Sequence, residues 1–133
     1  MIEKKFKLKT RDVLFLSRKR QFFSKGYFGI FYYKQYTNLN YNQISVHISI
    51  KYNKKAVYRN ILKRAVFDFI SENSLIENKI SGSFYKIFII LNKNKIDELK
   101  KNFENFDKKA ISNYTKEELR KSFISFQDYL GKQ

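Results

Sequence analysis

The sequence predicts an α+β domain in which helices pack on a mixed sheet of about four strands. Some segments have alternating or continuous apolar residues, which predicts strands. Between them lie segments whose apolar residues recur every three or four positions, which predicts helices. The chain has no Pro and four scattered Gly, and it shows no repeat of fixed period, so no linker divides it. We therefore expect residues 1–133 to form a single domain with one layer of helices on a sheet.

The first third of the chain predicts one helix and then strands. Residues 10–20 fit a short helix with Thr10 as N-cap and Asp12 in the first turn. Residues 27–35 are rich in aromatic side chains and Ile, which is typical of a strand. The wider aromatic stretch 22–33 can be split to give one more strand.

The middle of the chain predicts a strand, a helix and a second strand. Residues 44–50 alternate between apolar and polar side chains from Ile44 to Ile50, as in a half-buried strand. Residues 56–72 place Val, Ile, Ala and Phe at every fourth position, which predicts an amphipathic helix. Residues 84–91 are apolar on both faces, which is typical of a central strand.

Two further helices are predicted at residues 95–109 and 115–129. The second begins with Thr115 followed by Glu118, which is a capping-box pattern. The closing helix is therefore an extra element at the C-terminal end of the sheet domain.

Positive charge is concentrated in the first half of the chain. The net charge is +16, from 28 Lys and Arg against 12 Asp and Glu. Residues 1–64 contain 16 of these basic and 2 of these acidic side chains, so their net charge is +14, whereas residues 65–133 carry +2. Compositional drift would spread Lys evenly. The asymmetry therefore favours a binding surface for a polyanion, and for nucleic acid in particular.

Several classes of site are excluded by residue counts. There is no Cys and the only His is His47, so a thiolate zinc site and a Cys–His nucleophile are excluded. No phosphate-binding glycine loop is present. Acidic side chains near the C-terminus lie beside Lys at helical spacing, which indicates surface pairing. We expect no catalytic side chain and no protein-bound metal.

The cellular setting is predicted from the same composition. The longest apolar runs, at 29–33 and 87–91, are too short to span a bilayer, and no apolar segment follows the basic N-terminus as in a secretory signal. The absence of Cys fits the reducing cytoplasm. We expect a cytoplasmic protein with no membrane partner and no small-molecule substrate, and the sequence leaves its oligomeric state open.

The segment from Lys51 to Arg64 is the strongest candidate binding site. At about 100° per residue, the polar side chains at positions 59, 60, 63 and 64 share one arc of roughly 140°, opposite the apolar stripe. Arg can bind phosphate with two hydrogen bonds, and a helix N-terminus offers free N–H donors. An ordinary solvated helix face is the alternative explanation. The predicted nucleic-acid-binding residues are Lys51, Lys54, Lys55, Arg59, Asn60, Lys63 and Arg64.

The order of residues in this segment resembles the signature of the bacterial ribonuclease P protein component. In that family an Arg-Asn-Arg run is followed by an aliphatic residue and Lys-Arg, and the residues at positions 59, 60, 63 and 64 match it. Ile61 and Phe67 stand where the family has Arg, and Lys54 stands where Gly is usual. Weaker similarity extends to residues 6–13, 28–31, 85–91 and 114–119. Residues 92–113 have no good counterpart and are predicted to be an inserted helix.

The resemblance implies a fold and a function. The fold is ribosomal protein S5 domain 2-like, with a left-handed βαβ crossover, an exception to the usual hand. The function is that of the protein subunit of ribonuclease P, a ribonucleoprotein endonuclease that removes the 5′ leader of precursor tRNA. The implied partners are the ribonuclease P RNA and precursor tRNA. Catalysis is expected from RNA with Mg²⁺, which the RNA mainly binds. A structural ribosomal or RNA-packaging protein explains the charge equally well, but not the residue order.

The family also binds the tRNA leader in a cleft between the sheet and the first helix. Its aromatic helix positions correspond to Val13 and Ser17, neither of which is aromatic here, and Phe15 substitutes if the helix is rotated. Phe31 keeps the aromatic position on the strand, and Phe28 falls on the opposite strand face. Core packing is the alternative role for these strand aromatics.

Overall fold

The computed structural model describes residues 3–19 and 21–133, and it confirms the predicted α+β class. Arg20, the last residue of the first predicted helix, lies outside the described residues. Short 3-10 turns occur at Lys4–Phe6 and Lys93–Lys95. The helices are α1 (Thr10–Lys19), α2 (Ala56–Glu72), α3 (Ile96–Asn102) and α4 (Lys108–Gly131), and the strands are β1 (Phe22–Lys25), β2 (Phe28–Lys34), β3 (Gln43–His47) and β4 (Tyr85–Leu91).

The four strands form one mixed sheet in the order β1-β2-β4-β3. β1 pairs antiparallel with β2, and β2 pairs antiparallel with β4. β3 runs parallel to β4, and α2 provides the crossover between them. The predicted interior position of β4 is confirmed, because apolar residues on both faces of this strand are covered. The left-handed crossover remains a prediction.

One face of the sheet packs against α2 and α4 and forms the core. Alternate residues of the strands point to this face, including the fully buried Ile30 and Ile87. Phe126 of α4 is also fully buried, and its ring lies against those of Tyr32 and Phe123. Each such side chain contributes about 1.5 to 3 kcal/mol of hydrophobic stabilisation. This layer fixes where α2 begins.

The other face of the sheet is partly covered by α1. Leu16 of α1 is fully buried there. The Lys86 side chain, only 3% exposed, places Nζ 3.4 Å from Asp12 Oδ1 and donates to Gln43 Oε1 at 2.8 Å. Its ammonium group also lies 4.6 Å from the ring centroid of Tyr36. These contacts attach α1 to the end of β4, and the remaining part of this sheet face is left open beside the helix.

The C-terminal helices differ from their predicted bounds. The predicted helix 95–109 ends at Asn102, and the inserted segment 92–113 is therefore not one helix but α3, a turn and the start of α4. The predicted capping box at Thr115 is wrong, because Thr115 is buried inside α4 and donates to the carbonyl of Ile111. The N-cap is Asp107, whose carboxylate accepts from the Ala110 N–H. This N-cap lies five residues after the end of α3, and several polar residues around it made it hard to identify from the sequence.

β3 is also shorter than predicted. The strand ends at His47, and the chain then turns, with the Tyr52 N–H donating to the Ser49 carbonyl at 3.0 Å. Ile50 was predicted to face inward with Ile44, but its side chain is 64% exposed. The turn rotates Ile50 away from the core.

Candidate nucleic-acid interface

The loop between β3 and α2 is held in place by its own side chains. Arg59 Nη1 donates to the carbonyls of Asn53 and Lys54, both at 2.8 Å. The side chain of Asn53 accepts from the Lys55 N–H at 2.9 Å. Tyr52 is buried in the core cluster, and its burial anchors the loop. Part of the Arg59 guanidinium is therefore used to fix the loop, a role that sequence reasoning did not predict.

The predicted binding residues lie on an open surface. Arg59 and Lys63 are half-buried, and the exposed members are Lys51, Lys54, Lys55, Asn60 and Arg64. In the described part of the chain, none of these cations forms an ion pair with a carboxylate. Their charge is therefore not neutralised locally and acts on solvent and ligands. Their contact with RNA stays a prediction.

The first turn of α2 stands clear of the core. Val57 was predicted to lie on the packing stripe, but it is 54% exposed, and Tyr58 is exposed as well. The first buried residue of the helix is Leu62. Lys55 occupies the N-cap with no side-chain cap hydrogen bond, and the first N–H groups of a helix have no partner in the regular helical pattern. The dipole of α2 thus adds positive potential beside the lysines.

Several acidic residues near the C-terminus pair with cations close to them in sequence. In α4, Glu117 pairs with Arg120 and Glu118 pairs with Lys121, and in the 3-10 turn before α3, Lys95 pairs with Glu98. The hydrogen bond from Arg120 holds the pKa of the Glu117 carboxyl below its ordinary value. These pairs are local and surface-exposed. Pairing of carboxylates with neighbouring cations near the C-terminus was predicted from helical spacing; it occurs for these three glutamates, whereas Asp97 and Glu98 do not pair with Lys100 and Lys101 among the described residues.

The two positions where Arg is replaced have structural roles in this chain. Ile61 and Phe67 are both half-buried and pack against the core cluster. Lys7 Nζ lies 5.2 Å from the centroid of the Phe67 ring, so the N-terminal segment contacts this side of α2. Apolar side chains at both positions add packing where a cation would add charge.

The open part of the sheet face contains aromatic side chains. Phe31 is half-buried, and its ring lies 4.6 Å from that of Phe22 and 6.3 Å from that of Phe88, centroid to centroid. Phe28 is buried on the opposite face, as predicted. A Cβ at Gly29 would lie 2.5 Å from Phe22 Cζ, so this glycine allows the Phe22 ring to lie on the strand. Phe22 and Phe88 were not identified from the sequence.

The residues of α1 that were predicted to line the cleft separate into two groups. Phe15 is partly exposed and packs edge-on against Tyr33 at 5.1 Å, with Lys19 Nζ near both rings. At 100° per residue, Val13 and Ser17 lie on the opposite flank of Leu16 from Phe15. Ser17 Oγ donates to the Val13 carbonyl at 3.0 Å. Phe15 is thus held against Tyr33, and its place in a leader cleft stays a prediction.

No family model matches this chain, and no curated protein matches it. Solved structures do. The ribonuclease P protein from Thermotoga maritima in complex with 1-(4-fluorophenyl)-2-thiourea superposes with a TM-score of 0.63 at 25% identity, covering 86% of this chain and 94% of that one. A Staphylococcus aureus ribonuclease P protein mutant with defective mRNA degradation activity superposes with a TM-score of 0.62 at 18% identity, covering 89% and 88% of the two chains. The predicted resemblance to bacterial ribonuclease P proteins is therefore confirmed in the fold.

Proposed function

We propose that this chain is the protein subunit of ribonuclease P and that it binds the catalytic RNA through the segment from Lys51 to Arg64. One observation carries the proposal: six cations lie in the loop before α2 and in the first three turns of this helix, and no carboxylate pairs with them in the described residues. A surface of this kind binds phosphates with little sequence preference. The shared fold with ribonuclease P proteins supports the choice of RNA partner.

The second part of the proposal is that the 5′ leader of precursor tRNA binds beside α1. Phe31 and Phe88 offer partly exposed ring faces, and stacking on single-stranded bases is worth about 1 to 3 kcal/mol per base. Val13 and Ser17 form the helix side of this cleft. The narrower side chains at these positions leave more room between the helix and the sheet than aromatic groups would.

The chemistry of the proposed reaction belongs to the RNA. Among the described residues no group of three His, Asp or Glu side chains is placed to hold a metal ion. We therefore assign Mg²⁺ mainly to the RNA partner. The role of the protein is to reduce repulsion between RNA phosphates and to hold the leader in register, which lowers the magnesium concentration needed for cleavage.

None of the helices among the described residues has the length and apolar character needed to span a membrane.

Reconstitution tests this function. We expect the purified protein, added to its cognate ribonuclease P RNA, to raise the rate of precursor tRNA cleavage at low magnesium. The reconstituted complex should also bind precursor tRNA more tightly than leaderless tRNA. Tight binding of a structured RNA without any effect on cleavage would instead identify a structural or RNA-packaging protein.

Two variants that remove the same amount of charge test whether the effect on cleavage depends on the segment from Lys51 to Arg64. Lys51, Lys54 and Lys55 changed together to Ala should abolish the gain at low magnesium. Lys108, Lys109 and Lys132 are exposed on or after α4, and changing these three to Ala removes the same charge elsewhere. The second variant should keep the gain. Equal loss in both variants would show that overall charge, and not this surface, drives binding.

A further inference from the structure

The basic loop and Lys100 of α3 together line an open pocket. The pocket has a volume of about 480 Å³, and its lining comes from residues 50–55 and from Lys100 of α3. This volume is within the range of ligand-binding pockets. Because α3 belongs to the segment without a counterpart in the sequence resemblance, its contribution to this surface was not predicted.

Buried side chains on one side of α3 fix its position in the fold. Ile96, Leu99 and Phe103 are buried, and the Phe103 ring meets the Tyr52 ring edge-on at 6.4 Å. Asn102 Nδ2 donates to the hydroxyl of Tyr27 at 2.7 Å. With Leu99 in the core and Tyr52 beneath the loop, the neighbouring Lys100 is placed at the mouth of the pocket. The approach of Lys100 to the loop therefore follows from core packing.

The pocket combines positive charge with an apolar surface. Four lysines line it, and in the described structure they form no ion pair; these are Lys51, Lys54, Lys55 and Lys100. Asp97 and Glu104 lie one turn to either side of Lys100 but are not paired with it. Ile50 contributes a 64% exposed apolar side chain. Four lysines that line one pocket raise the positive potential there, which favours binding of an anion.

We propose that this pocket binds one phosphate–ribose unit of the RNA partner, with the phosphate held by the lysines and the sugar against Ile50. Lys100 thereby extends the RNA-binding surface from α2 onto α3. The inference rests on the proposed function and adds to it a contact from a separate element. A ribose has an apolar face and a phosphate next to it, which matches Ile50 beside the ammonium groups.

The salt dependence of RNA binding tests Lys100. Lys101 is the matched control, because it is exposed on the same helix and does not line the pocket. For Lys100→Ala we expect affinity for ribonuclease P RNA to fall about fivefold, as for loss of one exposed ion pair. The slope of log affinity against log salt should flatten by about 0.7 to 0.9. Lys101→Ala should change neither quantity.

A second measurement reports position instead of affinity. The chain has no Cys, so Lys100→Cys and Lys54→Cys each provide a unique site for a tethered probe that cleaves nearby RNA. The two probes should cut overlapping nucleotides, whereas a probe at Gln127→Cys on α4 should not. Separate cut sites from positions 54 and 100, or equal effects of the two Ala variants, would overturn the inference. If the inference about Lys100 fails in this way, the proposed function still stands provided that the triple variant of Lys51, Lys54 and Lys55 loses RNA binding. Failure of the wild-type protein to bind ribonuclease P RNA would overturn both the inference and the proposed function.

Discussion

At the scale of single residues, the two arginines of the α2 face have different roles. The sequence grouped Arg59 with Arg64 as phosphate ligands. In the structure Arg59 is half-buried and bonds to two loop carbonyls, whereas Arg64 is exposed. Arg59 therefore positions the lysines of the loop, and Arg64 is free of such a role within the described residues.

This difference predicts different effects for the two Ala variants. Arg64→Ala should weaken RNA binding and flatten its salt slope by about one unit without changing the free energy of unfolding. Arg59→Ala should also lower the free energy of unfolding by about 1 to 2 kcal/mol, because two hydrogen bonds from a charged group are lost. Urea unfolding and RNA titration over a range of salt measure both. An unchanged slope for Arg64→Ala would mean that this face of α2 is only solvated.

At the scale of secondary-structure elements, α1 depends on one buried ion pair. Lys86 is almost fully buried in β4, and Asp12 is its acidic partner across the gap to α1. α1 forms one side of the proposed leader cleft. Because this ion pair holds α1 against the sheet, it also affects the width of the cleft. Gln43 and the Tyr36 ring complete the surroundings of the ammonium group.

Removal of one partner should be costly. Asp12→Asn leaves the Lys86 charge without its counter-ion, and we expect the free energy of unfolding to fall by about 3 kcal/mol. Lys86→Met combined with Asp12→Asn should recover part of that loss, since no buried charge remains. A double-mutant cycle in urea measures the coupling. Additive losses in the double variant would show that the pair contributes no coupling energy.

At the scale of the whole molecule, charge and burial are segregated. The first half of the chain carries most of the net charge, while Glu98, Glu117 and Glu118 in the second half each pair with a cation three residues away. The core contains tyrosines as well as aliphatic side chains. Burial raises the pKa of Tyr52 to about 12, and burial together with a hydrogen bond to Tyr129 raises the pKa of Tyr32.

These tyrosines predict loss of stability at high pH. Their pKa is higher in the folded chain than the ordinary value of 10.0, so the unfolded chain loses these protons first as pH rises. Stability from these groups is complete below pH 10 and decreases towards pH 12. Tyr52→Phe keeps every lysine and removes one of these groups, so its unfolding should begin at higher pH than that of the wild-type protein. Circular dichroism during an alkaline titration measures both midpoints; coincident midpoints would contradict the assignment.

Local sequence patterns were enough to predict the α+β class, the bounds of α2, the interior position of β4 and the basic segment 51–64. These features depend on periodicity, apolar runs and local charge, which are properties of neighbouring residues. The family resemblance came from the same short segment. The exposed positions of Lys54, Lys55 and Arg64 were predictable because the two lysines precede the apolar stripe of α2 and Arg64 lies on its polar arc.

The contacts between residues that are distant in sequence depend on how the elements pack. Lys100 reaches the basic loop because Leu99 and Phe103 are buried beneath it, and Lys86 finds Asp12 across 74 positions of sequence. The exposure of Val57 and the cap at Asp107 were also set by where the sheet ends and the helices dock. Helical periodicity gives the side of a helix on which a residue lies, but not how far the neighbouring layer extends. That boundary is fixed by packing between elements, which no local pattern contains.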